Sequence, residues 1–159
     1  MTDVKNQIVL AVDLGSGGPK IGYVTVSGNP LWWHYERGDA VGGAESQNPN
    51  DWWDLIVKHA QAGLAQPEVN AEDVVGVAIT GQWASTVPVD ENGLPVSDCL
   101  MWSDTHGAVH SGTQFGGPVA GYSPTVLATW LRRSGGVPSP TGSDPISHML
   151  HLDRDRPEI

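Results

Sequence analysis

The sequence predicts an α/β domain with a mixed sheet, and three features carry that expectation. Two apolar, β-branched runs at residues 8–12 and 74–80 read as buried strands. Three stretches open with a polar cap followed by proline, at Asn48-Pro49, Ser123-Pro124 and Asp144-Pro145, and read as helix starts. Glycine-rich turns join the first three extended segments with no helix between them, which makes those neighbours antiparallel within a sheet that later receives a strand across a helix.

Residues 8–12 form the first strand, residues 15–18 a turn, residues 20–26 the second strand, and residues 31–36 the third, after the turn at Ser27-Gly28-Asn29-Pro30. Residues 39–47 are glycine-rich and read as irregular. A helix then starts with Asn48 as N-cap, Pro49 at the first helical position and Asp51 in the first turn. Trp53, Ile56, Val57, Ala60 and Leu64 are expected on its inward face, and the pattern stops before Pro67. After the strand at 74–80, residues 86–89 and 94–96 flank Asp90-Glu91-Asn92-Gly93 as a hairpin. A short apolar element at 100–102 precedes a glycine-rich loop at 107–121. The helix after Ser123 runs to about Arg133, with Leu127, Trp130 and Leu131 inward and Gly135 ending it. The last helix carries Ile146, Met149 and Leu150.

A chain of 159 residues suits one domain with a real core. Its formal net charge of -10 repels polyanions, so neither nucleic acid nor an anionic membrane surface is an expected partner. No apolar run is long enough to span a bilayer, and the polar start at residues 1–7 lacks a signal-peptide core, so a cytoplasmic location is expected. Cys99 is the single cysteine, which excludes an internal disulfide and a thiolate-rich metal site.

The chemistry begins at Asp13-Leu14-Gly15-Ser16-Gly17-Gly18-Pro19-Lys20. Asp13 ends the first strand, and the glycines after it let backbone N–H groups face one concavity, a nest suited to phosphate oxygens. The Walker A pattern needs Gly-Lys-Ser/Thr, whereas Lys20 lies between Pro19 and Ile21. The dinucleotide fingerprint needs a third glycine where Lys20 stands. Both of those loops open a helix, while residues 20–26 read as strand. An ordinary hairpin turn with a solvated aspartate is the bland alternative.

A glycine-rich turn between strands, with Asp before and Lys after, resembles the first phosphate loop of the actin-like ATPase superfamily. Gln47-Asn48-Pro49-Asn50-Asp51-Trp52-Trp53, Gly76-Val77-Ala78-Ile79-Thr80-Gly81-Gln82-Trp83 and Met101-Trp102-Ser103-Asp104 then resemble, in order and spacing, segments of the FGGY carbohydrate kinases, xylulokinase-like members in particular. The resemblance implies a ribonuclease H-like, actin-like ATPase domain with a mixed sheet, incomplete at its C-terminal end. Residues 1–159 would be the N-terminal portion of the family's first domain, with the nucleotide-binding C-terminal domain absent.

The implied reaction passes the γ-phosphoryl of ATP to a sugar hydroxyl. Asp13, Gly15, Ser16 and Lys20 would hold Mg²⁺ and phosphate, and Gln82, Trp83 and Asp104 a small sugar or polyol. ATP and Mg²⁺ are the cofactors of the intact family, and none is expected on this chain alone. Trp83-Ala84 departs from the family's usual Met-His, which leaves the sugar open, and His106 stands where an arginine is usual. The catalytic aspartate of the family lies in a later segment, so no catalytic residue is assigned and a truncated, inactive portion is expected. The alternative is a non-catalytic sugar-binding or interaction module.

Among the remaining features, Asp104 has a capping role as its bland alternative. Trp53, Trp102 and Trp130 are expected in the core, leaving Trp83 for ligand. His106 with His110 and His148 with His151 have helical ligand spacing, yet no cysteine or tight acidic cluster accompanies either pair, and no metal site is assigned.

Overall fold

The computed structural model describes residues 6–37, 42, 46–111, 117–119, 121–137 and 140–159. The chain forms two compact units, residues 1–82 and residues 83–159. The expected irregular stretch at 39–47 lies largely outside the described residues, as does part of the loop expected at 107–121.

In the first unit, β1 (Ile8–Gly15), β2 (Gly18–Thr25) and β3 (Pro30–Tyr35) make the expected antiparallel meander. A two-residue extended segment, β4 (Ser46–Gln47), leads into α1 (Pro49–Leu64). The chain then crosses to β5 (Val74–Gly81), which pairs parallel with β1 and completes a mixed sheet of order β3-β2-β1-β5. A helix crossover is what parallel pairing requires, and a tight turn suffices for the antiparallel pairs. Asn48 caps α1 as its sequence predicts, its side chain accepting from the Asn50 N–H at 2.9 Å.

Two expectations about burial fail here. Trp53 is 66 % exposed and Leu64 42 %, so neither is on the inward face of α1. The buried positions are His59 and Gly63, with half-buried Trp52 and Ile56 on the same stripe at helical spacing. Histidine and glycine are invisible to a hydrophobic pattern, which explains the error. β5 is also exposed along nearly its whole length rather than buried, with Ile79 at 69 %. It is an edge strand, and α1 packs on β2, with lesser contact to β1 and β3. The unit's core is built from Ile8, Tyr23 and Val69, with Leu10, Leu31, Trp32 and Val74 against it.

The second unit is mostly turns and short helices. Val89 pairs with Pro95 across the expected Asp90–Gly93 turn, where the Asp90 carboxylate accepts from the Asn92 and Leu94 N–H groups and Gly93 takes φ +80°. The pairing is a single bridge, shorter than the expected hairpin. β6 (Cys99–Leu100) pairs through Leu100 with Thr86. A 3-10 helix spans His106–His110, α2 spans Pro124–Ser134, and α3 spans Pro145–Asp155. Ser123 and Asp144 cap α2 and α3, and Gly135 closes α2 in the left-handed conformation at φ 74°.

Here too some apolar residues expected inside are outside. Trp102 is 50 % exposed and Leu131 53 %. The buried positions of α3 are Ser147 and His148, both held by hydrogen bonds. Met101, Cys99 and Tyr122 supply the buried apolar side chains.

Candidate functional site

Asp13 and Lys20 face each other across the β1–β2 ladder as direct partners in register. The Lys20 Nζ donates to Asp13 Oδ2 at 2.9 Å, and both side chains are about half exposed. A pair this exposed contributes at most about 1 kcal/mol to stability. Its significance is placement: a carboxylate and an ammonium meet at the mouth of a two-residue turn, Ser16-Gly17, closed by Gly15 and Gly18. Gly18 has φ +119°, a conformation glycine adopts freely. A Cβ at Gly15 would meet Lys20 Nζ at 3.5 Å and Asp13 Oδ2 at 3.7 Å, ordinary contact distances that place this backbone directly beside the pair.

The turn is held from outside by two side chains. Tyr35 Oη donates to the Gly17 carbonyl at 2.7 Å, and Gln47 Nε2 donates to the Ser16 carbonyl at 3.1 Å. Gln47 is 1 % exposed. Its Oε1 accepts from Trp52 Nε1 at 3.1 Å and from Gln82 Nε2 at 3.0 Å. One buried amide therefore links the Ser16-Gly17 turn to Gln82. Sequence reasoning placed Gln47 in a motif without giving it this role, because only the fold brings residues 16, 47 and 82 together. Asp13 and Lys20 also line an open, largely apolar concavity of about 400 Å³ over the sheet, with Ile21, Trp33 and Ile79.

In the second unit, Trp83 is 86 % exposed and lines a cleft of about 420 Å³ with Trp102, Trp130, Asp144 and Ile146. Ala84, next in the chain and also lining the cleft, has φ +62°, a left-handed conformation that costs an alanine energy. Trp130 and buried Tyr122 meet in a T-shaped pair, 6.2 Å between centroids. Three indoles around one cleft suit the apolar face of a sugar ring.

Asp104 is committed elsewhere. Its Oδ1 accepts from the His106 N–H at 2.8 Å, and both carboxylate oxygens lie 3.0 Å from His106 Nδ1. Burial pushes this carboxyl up, but the His106 backbone and imidazole bonds outweigh it and hold it below its ordinary value. The capping alternative describes this geometry, and Asp104 is not among the residues of the tryptophan cleft. Cys99 is buried, which raises its thiol to about 11, far from a nucleophilic thiolate.

The mixed sheet, its charged hairpin turn and the crossover through α1 define an α/β domain, and comparison with known proteins gives its class. A profile described as "FGGY family of carbohydrate kinases, N-terminal domain" matches residues 8–111, well over half of the chain and every residue singled out above from Asp13 to Asp104. The chain belongs to the FGGY family of carbohydrate kinases. It is 29% identical over 106 residues to the xylulose kinase of Staphylococcus epidermidis, covering 65% of this chain and 21% of that protein. A glycerol kinase of Haloarcula marismortui is 30% identical over 98 residues, covering 59% of this chain and 19% of that protein.

Among solved structures, the xylulose kinase from Bifidobacterium adolescentis superposes with a TM-score of 0.70 at 20% identity, over 96% of this chain and 30% of that one. Plasmodium falciparum glycerol kinase with ADP superposes at 0.67 with 15% identity, over 96% of this chain and 29% of that one. The fold is thus the ribonuclease H-like, actin-like ATPase fold. The chain spans about a fifth of the length of its curated relatives and under a third of these structures.

Proposed function

We propose that this chain supplies the phosphate loop and part of the acceptor site of an ATP-dependent carbohydrate kinase, and that residues 1–159 alone do not turn over. The observation that carries the reading is the Asp13–Lys20 pair at a glycine turn, joined through Gln47 to Gln82. The residues present fit Mg²⁺ and phosphate: a half-exposed carboxylate suits a hard cation, and an ammonium and side-chain-free backbone beside it suit phosphoryl oxygens. Bound ATP with Mg²⁺ would supply the transferable phosphoryl group and its charge neutralisation. Lys20 would stand as a positive charge toward phosphate, and Gly15 and Gly17 would let the backbone approach. Gln47 would hold the turn and Gln82 in one arrangement.

No residue of this chain is assigned as the base for the acceptor hydroxyl, which is why inactivity is part of the proposal. A coupled ADP-release assay with pentuloses and polyols tests it. Turnover abolished by Asp13→Ala would overturn the inactivity while supporting the loop assignment. A background rate unchanged by Asp13→Ala is the expected result; Mg·ATP binding by the unaltered chain that is lost in Asp13→Ala would support the loop assignment and revise the expectation of none on this chain alone.

The tryptophan cleft favours a second reading, a sugar-binding module without catalysis. Its substrate class is a small sugar or polyol stacked on Trp83. Tryptophan fluorescence with candidate sugars separates the two: a sugar response with no Mg·ATP binding selects the module.

A further inference from the structure

We propose that His110, His151 and Asp155 form a binding site for a zinc-class divalent cation, independent of the kinase reading. His110 Nε2 and His151 Nδ1 approach the same oxygen, Asp155 Oδ2, each at 2.8 Å. The three donor atoms lie within 4.8 Å of one another. His151 and Asp155 are one turn apart on α3, and His110 comes from the end of the 3-10 helix. The His106–His110 and His148–His151 pairings read from the sequence are thus recombined, with an acidic partner that neither pair showed.

The donor set is two imidazoles and one carboxylate, which suits zinc and its first-row neighbours better than Mg²⁺ or Ca²⁺. With zinc–ligand bonds of about 2.0–2.1 Å, the edge of a tetrahedron is about 3.3 Å. The two nitrogen–oxygen pairs therefore need to spread by only about half an ångström from their hydrogen-bonded spacing, and the two nitrogens already lie within 4.8 Å of each other. Three protein ligands leave a position for water.

The two supporting elements are packed too closely to drift. A Cβ at Gly107 would lie 2.5 Å from the Ser147 carbonyl oxygen, and one at Gly142 would lie 2.2 Å from the Ala108 nitrogen. Ser111 and Ser147 hydroxyls meet at 3.1 Å across the same seam. The imidazoles are largely covered, at 12% exposure for His110 and 15% for His151, while Asp155 is open to solvent at 40%. Such a site is rigid behind and open in front. One neighbour opposes a cation: Arg154 Nη1 lies 3.5 Å from His110 Nδ1, on an exposed side chain able to turn outward.

A second group, His34, Glu36 and His59, has a similar composition and serves as the internal contrast. Its imidazoles stack face to face, with centroids 3.8 Å apart and planes 17° apart. A cation cannot lie in both ring planes at once, so that cluster is a His59–Glu36 hydrogen bond with the His34 ring stacked on it.

The test is titration of chelator-treated chain with Co²⁺ and Zn²⁺, read by visible d–d absorption and calorimetry. Expected is one Co²⁺ per chain with a four-coordinate spectrum, displaced by Zn²⁺. Affinity should fall more than about tenfold in Asp155→Asn and in His151→Asn, rise in Arg154→Ala, and stay unchanged in His34→Gln. No saturable binding at millimolar metal, or equal affinity in Asp155→Asn, overturns the proposal. Should His151→Asn lose its fold by circular dichroism, the exposed Asp155→Asn and Arg154→Ala variants decide it.

Discussion

Gly63 lies against the ring of Tyr23 so closely that a Cβ there would sit 2.4 Å from Tyr23 Cε2 and 2.7 Å from Trp32 Cε3. Tyr23 cannot yield easily, because it is 1 % exposed and its hydroxyl donates to the Ala60 carbonyl at 2.9 Å. α1 is therefore docked on β2 through a glycine, where backbone meets ring directly. Gly63→Ala gains roughly 1 kcal/mol of helix propensity but forces overpacking of about 1–3 kcal/mol. The clash should win, lowering the urea midpoint. A midpoint at or above that of the unaltered chain would show that the seam has slack.

Glu36 provides a second fixed point between β3 and α1. His59 lies 2.9 Å from its Oε2, and Lys58 adds a weaker, exposed partner at 3.8 Å. The His59 bond holds the Glu36 carboxyl below its ordinary 4.5, overcoming the upward push of burial. A carboxylate depressed in the folded state adds stability that is fully present above pH 4.5 and is lost as pH falls through the folded value. Glu36→Gln should therefore lower stability at neutral pH and flatten its decline below pH 4.5. Acid titration of the melting temperature checks this, and parallel curves for the two chains count against it.

What the sequence made legible was local. Asn48, Ser123 and Asp144 are caps because a short polar side chain before proline can serve the free N–H groups of the first turn, and all three do so. The meander followed from glycine turns between β-branched runs. Less legible was anything that depended on which face is covered. Trp53 was expected inside on hydrophobicity, yet the inward stripe of α1 uses His59 and Gly63, chosen for a hydrogen bond and a close approach. β5 looks like a buried strand because its composition is apolar, and edge position in the sheet is not encoded in its own residues. Gln47, Asp155 and the commitment of Asp104 to His106 were hidden for another reason. Each depends on partners brought together by the chain path, as with Gln47 and Gln82, 35 residues apart.

The Asp144 cap is a quantitative case. Its Oδ1 accepts from the Ile146 and Ser147 N–H groups, both at 3.0 Å, and its Oδ2 accepts from the Ser147 hydroxyl. Asp144→Ala leaves these donors without that partner at the start of α3, at a cost of about 1 kcal/mol. Hydrogen exchange of the first-turn amides of α3 should accelerate several-fold more than that of α2. Equal acceleration in both helices would mean the effect is global and not a lost cap.

Ala84 ties strain to the tryptophan cleft. At φ +62° an alanine costs about 1–2 kcal/mol relative to a right-handed conformation. Glycine relieves that cost but loses roughly 0.5–1 kcal/mol through the entropy of the unfolded chain. Ala84→Gly is therefore expected to raise stability by up to about 1 kcal/mol, and Ala84→Val to lower it, since a β-branched residue resists this region most. The stability series is read by urea unfolding, and sugar-dependent tryptophan fluorescence is read on the same samples. If the strain holds Trp83 over its cleft, Ala84→Gly should gain stability while its sugar response weakens. A gain in stability with an unchanged fluorescence response to sugar would separate the strained residue from the tryptophan cleft.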